Sequence, residues 1–479
     1  MLNNQELEPV FCIPTYRLRD VKETIIKYDQ HFHDMKREVP IWIFDDSPYA
    51  FHKRYFPELE KTPTYNEVFY IGPEEKGKYK RYLRERTGIM MADSVIGRIF
   101  RQSHGGNRNF ILAYTLGRRF ISSDDDMEPR GLITKEREKL EDNVVMSALS
   151  IKPEMIPVEY QSNDIYGAFF SVLGEKPLVL PFGTDIGEYA LDSNCDLFTN
   201  TTIKRDSEKT KLTLEQLKSS LENTIIKIAQ SFITGTSDMD SIDLGYMFIN
   251  DPDSTDTDKL PDIYVLGAYK PFITKQNWRV ATGVSGYDNR DGLPPFFPTK
   301  LRFEDYIFRI WSQRKDVATA HVNCIQHHTR NIYMRESLSS LILNETIANY
   351  LKNKIRESVK NIGCYSLDFE YDGLVEKADI DPLLENIKEF HSKILETKRK
   401  TNNEKRKEEL KRFSQSIYET FFRFEPDHFL SEVSQVVDEE IFAIKDGMSY
   451  WQTILEITMF KSTSDDLPMR KLANPRKAD

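Results

Sequence analysis

The 479-residue chain carries a formal net charge of −10, which excludes generic nucleic-acid binding and leaves room only for a local basic face. Its 39% hydrophobic content, with 29 Phe and 23 Tyr, is enough to fill real cores and excludes global disorder. The length sets an expectation of two or three domains.

Four cysteines (Cys12, Cys195, Cys324 and Cys364) lie far apart with no C-x-x-C spacing, which points to a reducing compartment and away from a zinc knuckle. The nine polar, acidic residues before "VFCIP" have no signal-peptide pattern, and no run of 18 apolar residues occurs. The expectation is a soluble cytoplasmic protein without a transmembrane segment, at most peripheral at a membrane surface.

The first third alternates strand and helix. "PVFCIPTY" (9–16) is an apolar run closed by a Pro-Thr turn, and "RDVKETIIKYDQHF" (19–32) has helical spacing at Val21, Ile25 and Tyr28. "VPIWIFDDSP" (39–48) and "NEVFYIGP" (66–73) read as second and third strands. "NFILAYTLG" (109–117) reads as a helix stopped by Gly117, and "RRFISS" (118–123) as a fourth strand that empties into Asp124, Asp125 and Asp126. This alternation predicts a parallel sheet with its ligand at the carboxyl edge.

From about 130 to 260 the pattern loosens into an insertion. "KEREKLEDNVVMSAL" (135–149) and "LTLEQLKSSLENTIIKIAQSFI" (212–233) look helical, the second opened by a capping box of Thr213 and Gln216. The Asp/Ser/Thr-rich stretch 234–262 reads as a surface excursion. Regular core resumes at "IYVLGAYKPFI" (263–273) and runs to about 334. Residues 335–479 read as an all-helical C-terminal domain, with apolar spacing at Leu383, Ile387, Phe390 and Ile394 and again at Leu410, Phe413, Ile417 and Phe421. The apolar-free segment 396–409 between them predicts a helical hairpin or one long helix with a solvated middle. These helices would stand apart from the chemistry of the first third and offer a surface for homo-oligomerisation.

Three adjacent carboxylates repel one another, so the triplet is either a solvated acidic turn or a site compensated by a cation or by donors. Asp45 and Asp46 before Ser-Pro are a strand-end turn or a ligand edge. In "GGNRN" (105–109) the glycines permit close backbone approach, Asn107 can cap the helix, and Arg108 offers a bidentate fork for phosphate. In "RFEDYIFRIW" (302–311), helical spacing puts Phe303, Ile307 and Ile310 on the packed side and leaves Glu304 and Asp305 near the helix start. On a strand, the adjacent His327 and His328 would face opposite ways, so at most one ligates a given metal.

Taken in order, "CIPTYR", "IWIFDDS", "GGNRNFILAYTLGRRFISSDDD" and "RFEDYIFRIW" resemble the family 2-like, GT-A fold glycosyltransferases over roughly residues 9–126 and 280–330. The segment between and everything after 335 have no counterpart. The resemblance implies an α/β GT-A catalytic domain (1–334) with a Rossmann-like, mostly parallel central sheet, the 130–260 insertion and the helical C-terminal domain. It implies that Pro14, Thr15, Tyr16 and Asp46 hold the donor base, with Asp45 as the neighbour that could substitute, and that Arg108 faces the nucleotide or its diphosphate. Asp124-Asp125-Asp126 would serve as the DXD motif: Asp126 holds Mn²⁺ or Mg²⁺, and Asp124 and Asp125 stand on the donor side. Asp305, with Glu304 beside it, would be the base for an inverting transfer, and His327 or His328 a further metal ligand.

The implied activity moves a sugar from a UDP- or GDP-sugar to a hydroxyl on a glycan, a lipid-linked precursor or a protein. A nucleotidyltransferase can share such a fold, but "PTYRLRDV" has no glycine for the loop that class places after its first strand. A non-catalytic sugar-nucleotide-binding partner subunit would be expected to lose the acidic residues, and both sets are present.

Overall fold

The computed structural model describes residues 7–88, 93–134, 146–150, 158–176, 187–191, 197–199, 224–236, 241–250, 252, 262–265, 272–273, 282–301, 303–305, 308, 317–329, 338–362, 367–369, 375–422, 426–464 and 467–472. The first third is β1 (Val10–Thr15), α1 (Leu18–Asp34), β2 (Ile41–Asp45), α2 (Tyr49–Glu60), β3 (Val68–Ile71), α3 (Pro73–Thr87), α4 (Asp93–Ile99), α5 (His104–Tyr114) and β4 (Arg119–Ser123). Apolar residues alternate faces along these strands, so both faces need cover. Phe11, Ile13, Ile41 and Ile43 pack with Val21, Ile25 and Tyr28 of α1, while Cys12, Trp42 and Phe44 pack with the α3–α5 side. The strands lie in the order β4-β1-β2-β3, all parallel. The parallel sheet expected from the sequence is held here.

The middle of the chain adds β5 (Met127–Glu128), β6 (Gly131–Thr134), β7 (Met146–Ser150), β8 (Val158–Gln161), α6 (Ile165–Phe170), β9 (Gly187–Leu191), β10 (Leu197–Thr199), β11 (Ile225–Thr236), α7 (Ser241–Asn250), β12 (Asp262–Val265), β13 (Phe272–Ile273), β14 (Val284–Asp288) and β15 (Val317–His328). The sheet continues past β4 through antiparallel β14 to β11, which pairs in parallel with β15. The order from the far edge is β10-β9-β7-β12-β11-β14-β4.

Three expectations for the insertion are corrected. Residues 146–150 and 225–236 are strands, not helix. "IIKIAQSFI" buries both faces in the sheet interior, and a continuous apolar run cannot be told from a buried helix by periodicity. The capping-box residues Thr213 and Gln216 lie outside the described residues, as do 135–145. The stretch expected as a surface excursion contains α7, whose Leu244 and Phe248, four apart, are buried against the C-terminal helices.

The C-terminal region comprises α8 (Leu338–Ser358), β16 (Val359–Ile362), β17 (Leu367–Phe369), α9 (Lys377–Lys400), α10 (Glu404–Ile417), a π-helical turn (Tyr418–Phe422), α11 (Pro426–Ser464) and β18 (Arg470–Lys471). Helices α9 and α10 form the hairpin alternative. The chain breaks at Thr401, and Asn403 Oδ1 caps α10 by accepting from Lys405 N at 3.1 Å and Arg406 N at 3.2 Å. The all-helical expectation is corrected by the β16–β17 hairpin and by β18, which pairs antiparallel with β3 at the sheet edge.

The region is also no appendage. Trp451, Ile454 and Leu455 of α11 form a stripe buried in the same core as Phe44, Tyr79 and Phe110. The α8–α11 core in turn includes Phe297, Leu301 and Phe303 from the segment leading to Glu304. Among the described residues, no helix is long and apolar enough to cross a membrane.

Trp451 is fully buried, and its Nε1 donates to Leu293 O at 2.7 Å. Trp451→Ala is expected to cost about 3–5 kcal/mol of stability, read from the midpoint of urea unfolding followed by a probe of the β-sheet. A loss confined to helical signal, with the sheet unchanged, would mean that α11 folds apart from it.

Candidate functional site

Parallel pairing puts Thr15 opposite Asp45 and sets β4 beside β1, so residues 15–17, 45–47 and 124–126 leave the sheet along one edge. Asp46 N donates to Thr15 O at 2.8 Å. Thr15 Oγ1 donates to Asp125 Oδ2 at 2.6 Å. Arg17, in the turn between β1 and α1, was not singled out in the sequence. Its Nη2 bridges Asp125 Oδ1 at 2.9 Å and Asp126 Oδ2 at 3.1 Å. Its signal was only position, two residues past the Pro-Thr turn. Thr24 Oγ1 donates to Asp125 O at 2.6 Å, and Thr329 donates to Asp126 O through both its N (3.1 Å) and its Oγ1 (3.0 Å). The triplet is therefore an internally bonded corner and not a solvated acidic turn. Burial, reinforced by Asp126, pushes the Asp125 carboxyl up to about 6 against the opposing pull of Arg17 and Thr15.

The two aspartates after β2 do different things. Asp45 is fully buried and accepts from Ser47 N and Tyr70 OH, both at 2.7 Å. These bonds make it a support for the strand-end turn and not a substitute for Asp46. Burial, with Asp45 close by, drives the Tyr70 phenol far above its ordinary range.

Asp46 Oδ1 pairs with Lys76, whose Nζ also donates to Asp45 O at 2.9 Å and Asn107 Oδ1 at 2.7 Å. Three acceptors saturate a lysine ammonium. Among the described residues, the buried Asp46 Oδ2 has no hydrogen-bond partner, a costly state for a carboxylate oxygen. Tyr16 stands at the rim, 48% exposed, with its ring 6.4 Å from that of His104, while Pro14 lies inside β1 opposite Phe44.

The cap expected in "GGNRN" is corrected. Ser103 caps α5, its Oγ accepting from Gly106 N at 3.0 Å; Asn107 instead donates to Phe44 O at 2.9 Å. A Cβ on Gly105 would strike the Phe297 carbonyl and one on Gly106 the Arg101 carbonyl, so these glycines seat α5 against protein backbone. Arg108 is buried, and the partners of its guanidinium are protein groups. Its Nη1 donates to Thr282 O at 3.0 Å and its Nη2 to Asp124 Oδ1 at 2.8 Å, and its Nε lies 3.8 Å from Glu304 Oε1. The guanidinium thus ties the triplet to the Glu304-Asp305 pair.

Glu304 and Asp305 are helical and half-buried, and Phe303 and Phe308 are buried beneath them; Ile307 and Ile310 lie outside the described residues. Asp305 is near enough to Tyr287 to help burial raise that phenol.

Strand β15 separates the two histidines as expected. His328 Nε2 lies 3.5 Å from Asp126 Oδ1. His327 turns away, with Nδ1 3.3 Å from Thr234 Oγ1 and its ring edge-on to Tyr160, and burial lowers its imidazole to about 4. His328 is therefore the histidine that faces the triplet. Among the described residues no group of three or more His, Cys, Asp or Glu side chains converges on a metal position. Asp126 and His328 supply one carboxylate oxygen and one imidazole nitrogen. That mixed pair, one hard oxygen and one imidazole nitrogen, suits Mn²⁺ better than Mg²⁺.

Asp125 holds its proton more tightly folded than unfolded. The folded state therefore binds more protons between about pH 4 and about 6, and stability falls as pH rises through that window. Asp125→Asn lacks this titration, so its stability relative to wild type should rise across the window by on the order of 1–3 kcal/mol and stay level above it. Urea melts of both proteins from pH 4 to 8 check this, and parallel curves would count against a raised Asp125.

Compared with known proteins, the chain matches no family model and no curated relative.

Proposed function

We propose that this chain is a metal-dependent glycosyltransferase of the GT-A type that moves a sugar from a UDP- or GDP-sugar to an acceptor hydroxyl, with inversion. The observation that carries the reading is the double engagement of Arg108. One buried guanidinium holds Asp124 at 2.8 Å and stands 3.8 Å from Glu304, so the two acidic motifs, distant in sequence, meet at one sheet edge.

Each neighbouring group has a role in that reaction. The partnerless Asp46 Oδ2 is an acceptor suited to a base N–H, and exposed Tyr16 offers a ring face to cover the base. Asp124, with its side chain 37% exposed, keeps an oxygen for the ribose while Arg108 fixes the other. Asp126 and His328 would hold the cation, which when bound neutralises charge on the diphosphate leaving group. Glu304 stands beside Arg108 and serves to orient. Asp305, next to it in the chain, would take the proton from the acceptor hydroxyl as its oxygen attacks the anomeric carbon. Glycans, lipid-linked precursors and proteins all present such hydroxyls.

Titration with a panel of sugar nucleotides, with and without Mn²⁺, tests the reading. Failure of every nucleoside diphosphate sugar to bind would sink it. Asp126→Asn is expected to abolish the metal dependence of donor binding. Asp305→Asn is expected to keep metal and donor bound while donor turnover falls about 10²-fold or more. If Asp126→Asn binds donor with an unaltered metal requirement, the triplet is not the metal site.

A further inference from the structure

Two arginines touch the acidic triplet, and they are held very differently. Arg108 is buried, on α5, and anchored by a backbone carbonyl as well as by Asp124. Arg17 lies at the rim with its side chain 18% exposed, in the turn before α1, where it makes no side-chain capping bond. A single nitrogen, Nη2, bridges Asp125 Oδ1 at 2.9 Å and Asp126 Oδ2 at 3.1 Å, while Nε lies 3.3 Å from Asp20 Oδ2 in the first turn of α1. The oxygens of Asp126 are thus divided, Oδ2 to Arg17 and Oδ1 toward His328 Nε2 at 3.5 Å.

We infer that Arg17 is the resident counter-cation of the triplet, and that it leaves Asp125 and Asp126 when a divalent cation binds at Asp126 and His328. This rests on the metal-dependent reading above. A guanidinium and a divalent cation sharing one carboxylate repel each other, and desolvation at this corner strengthens the repulsion. Loss of Arg17 with no replacement cation takes away the positive charge that bridges two adjacent buried carboxylates, so one cation is favoured at this corner and two are unfavourable. Asp20, whose Oδ1 accepts from Arg19 Nε at 2.7 Å, keeps its Oδ2 3.3 Å from Arg17 Nε and so gives the departing guanidinium a second carboxylate. Arg17 can therefore move without breaking α1, whereas Arg108 stays in place.

The test uses the full chain and Mn²⁺ alone, with free Mn²⁺ counted by electron paramagnetic resonance. Arg17→Gln is expected to bind Mn²⁺ about tenfold or more tightly than wild type, because a competing charge is gone. Asp126→Asn is expected to lose the site in either background. Equal or weaker Mn²⁺ binding by Arg17→Gln, with wild-type binding still abolished by Asp126→Asn, overturns the role of Arg17 and leaves the metal reading standing. No Mn²⁺ binding by either protein, with or without a sugar nucleotide, overturns both.

A second measurement on wild-type protein does not depend on how the variant folds. Phenylglyoxal labelling read by mass spectrometry should increase at Arg17 on saturation with Mn²⁺ and stay low at Arg108. Unchanged or reduced labelling of Arg17 in the Mn²⁺-bound protein would also overturn the inference.

Discussion

Three consecutive carboxylates at the end of β4 impose the charge constraint around which this part of the molecule is arranged. Two unit charges about 4 Å apart interact by roughly 4 kcal/mol at the effective dielectric typical of partly buried pairs. The corner must therefore gather positive charge and donors from elsewhere in the chain. It takes Thr15 and Arg17 from the exit of β1, Arg108 from α5, and Thr24 from α1. Each comes from an element that the parallel pairing of β4, β1 and β2 brings to one edge, so sheet topology and charge compensation are two aspects of one arrangement.

The same requirement reaches beyond the sheet. Arg108 draws Glu304 to the triplet, and the segment before Glu304 is itself held by the C-terminal region. Glu440 of α11 is buried, pairs with Arg101 and accepts from Lys300 N at 3.3 Å, while Arg101 Nε donates to Pro298 O. Burial raises the Glu440 carboxyl, and Arg101 and the donors of the 299–300 segment oppose that rise. A helix from the last tenth of the chain thus helps fix the segment that delivers the second acidic motif. The C-terminal helices support the segment that leads to Glu304, which their sequence, read as a separate domain, did not suggest.

What could be read from the residues follows the range of the physics involved. Strand and helix in the first third were legible because apolar periodicity and turn residues act within a few positions: "CIPTY", "IWIFDD" and "FISSDDD" each end a buried strand on polar residues. The C-terminal hairpin was legible for the same reason. The strand at 225–236 was not, because an apolar run buried on both faces carries no period, and its identity came from β14 and β15 on either side. Helix α7 was missed because Asp, Ser and Thr around it outweighed two buried residues, Leu244 and Phe248.

For the site, the sequence by itself determined which chemistry was present: carboxylates at strand ends, an Arg-Asn pair opening a helix, a Glu-Asp pair and two adjacent histidines. Side-chain type and local spacing are enough for that. Only the tertiary structure decided the assignments. It committed Asp45 to Tyr70 and Ser47, left Asp46 with a partnerless oxygen, turned His328 and not His327 toward Asp126, made Arg108 an internal link, and brought forward the unremarked Arg17. The reason is that burial and pairing of charge are properties of space. Groups far apart in the chain set one another's partners, and no local pattern records which of them will meet.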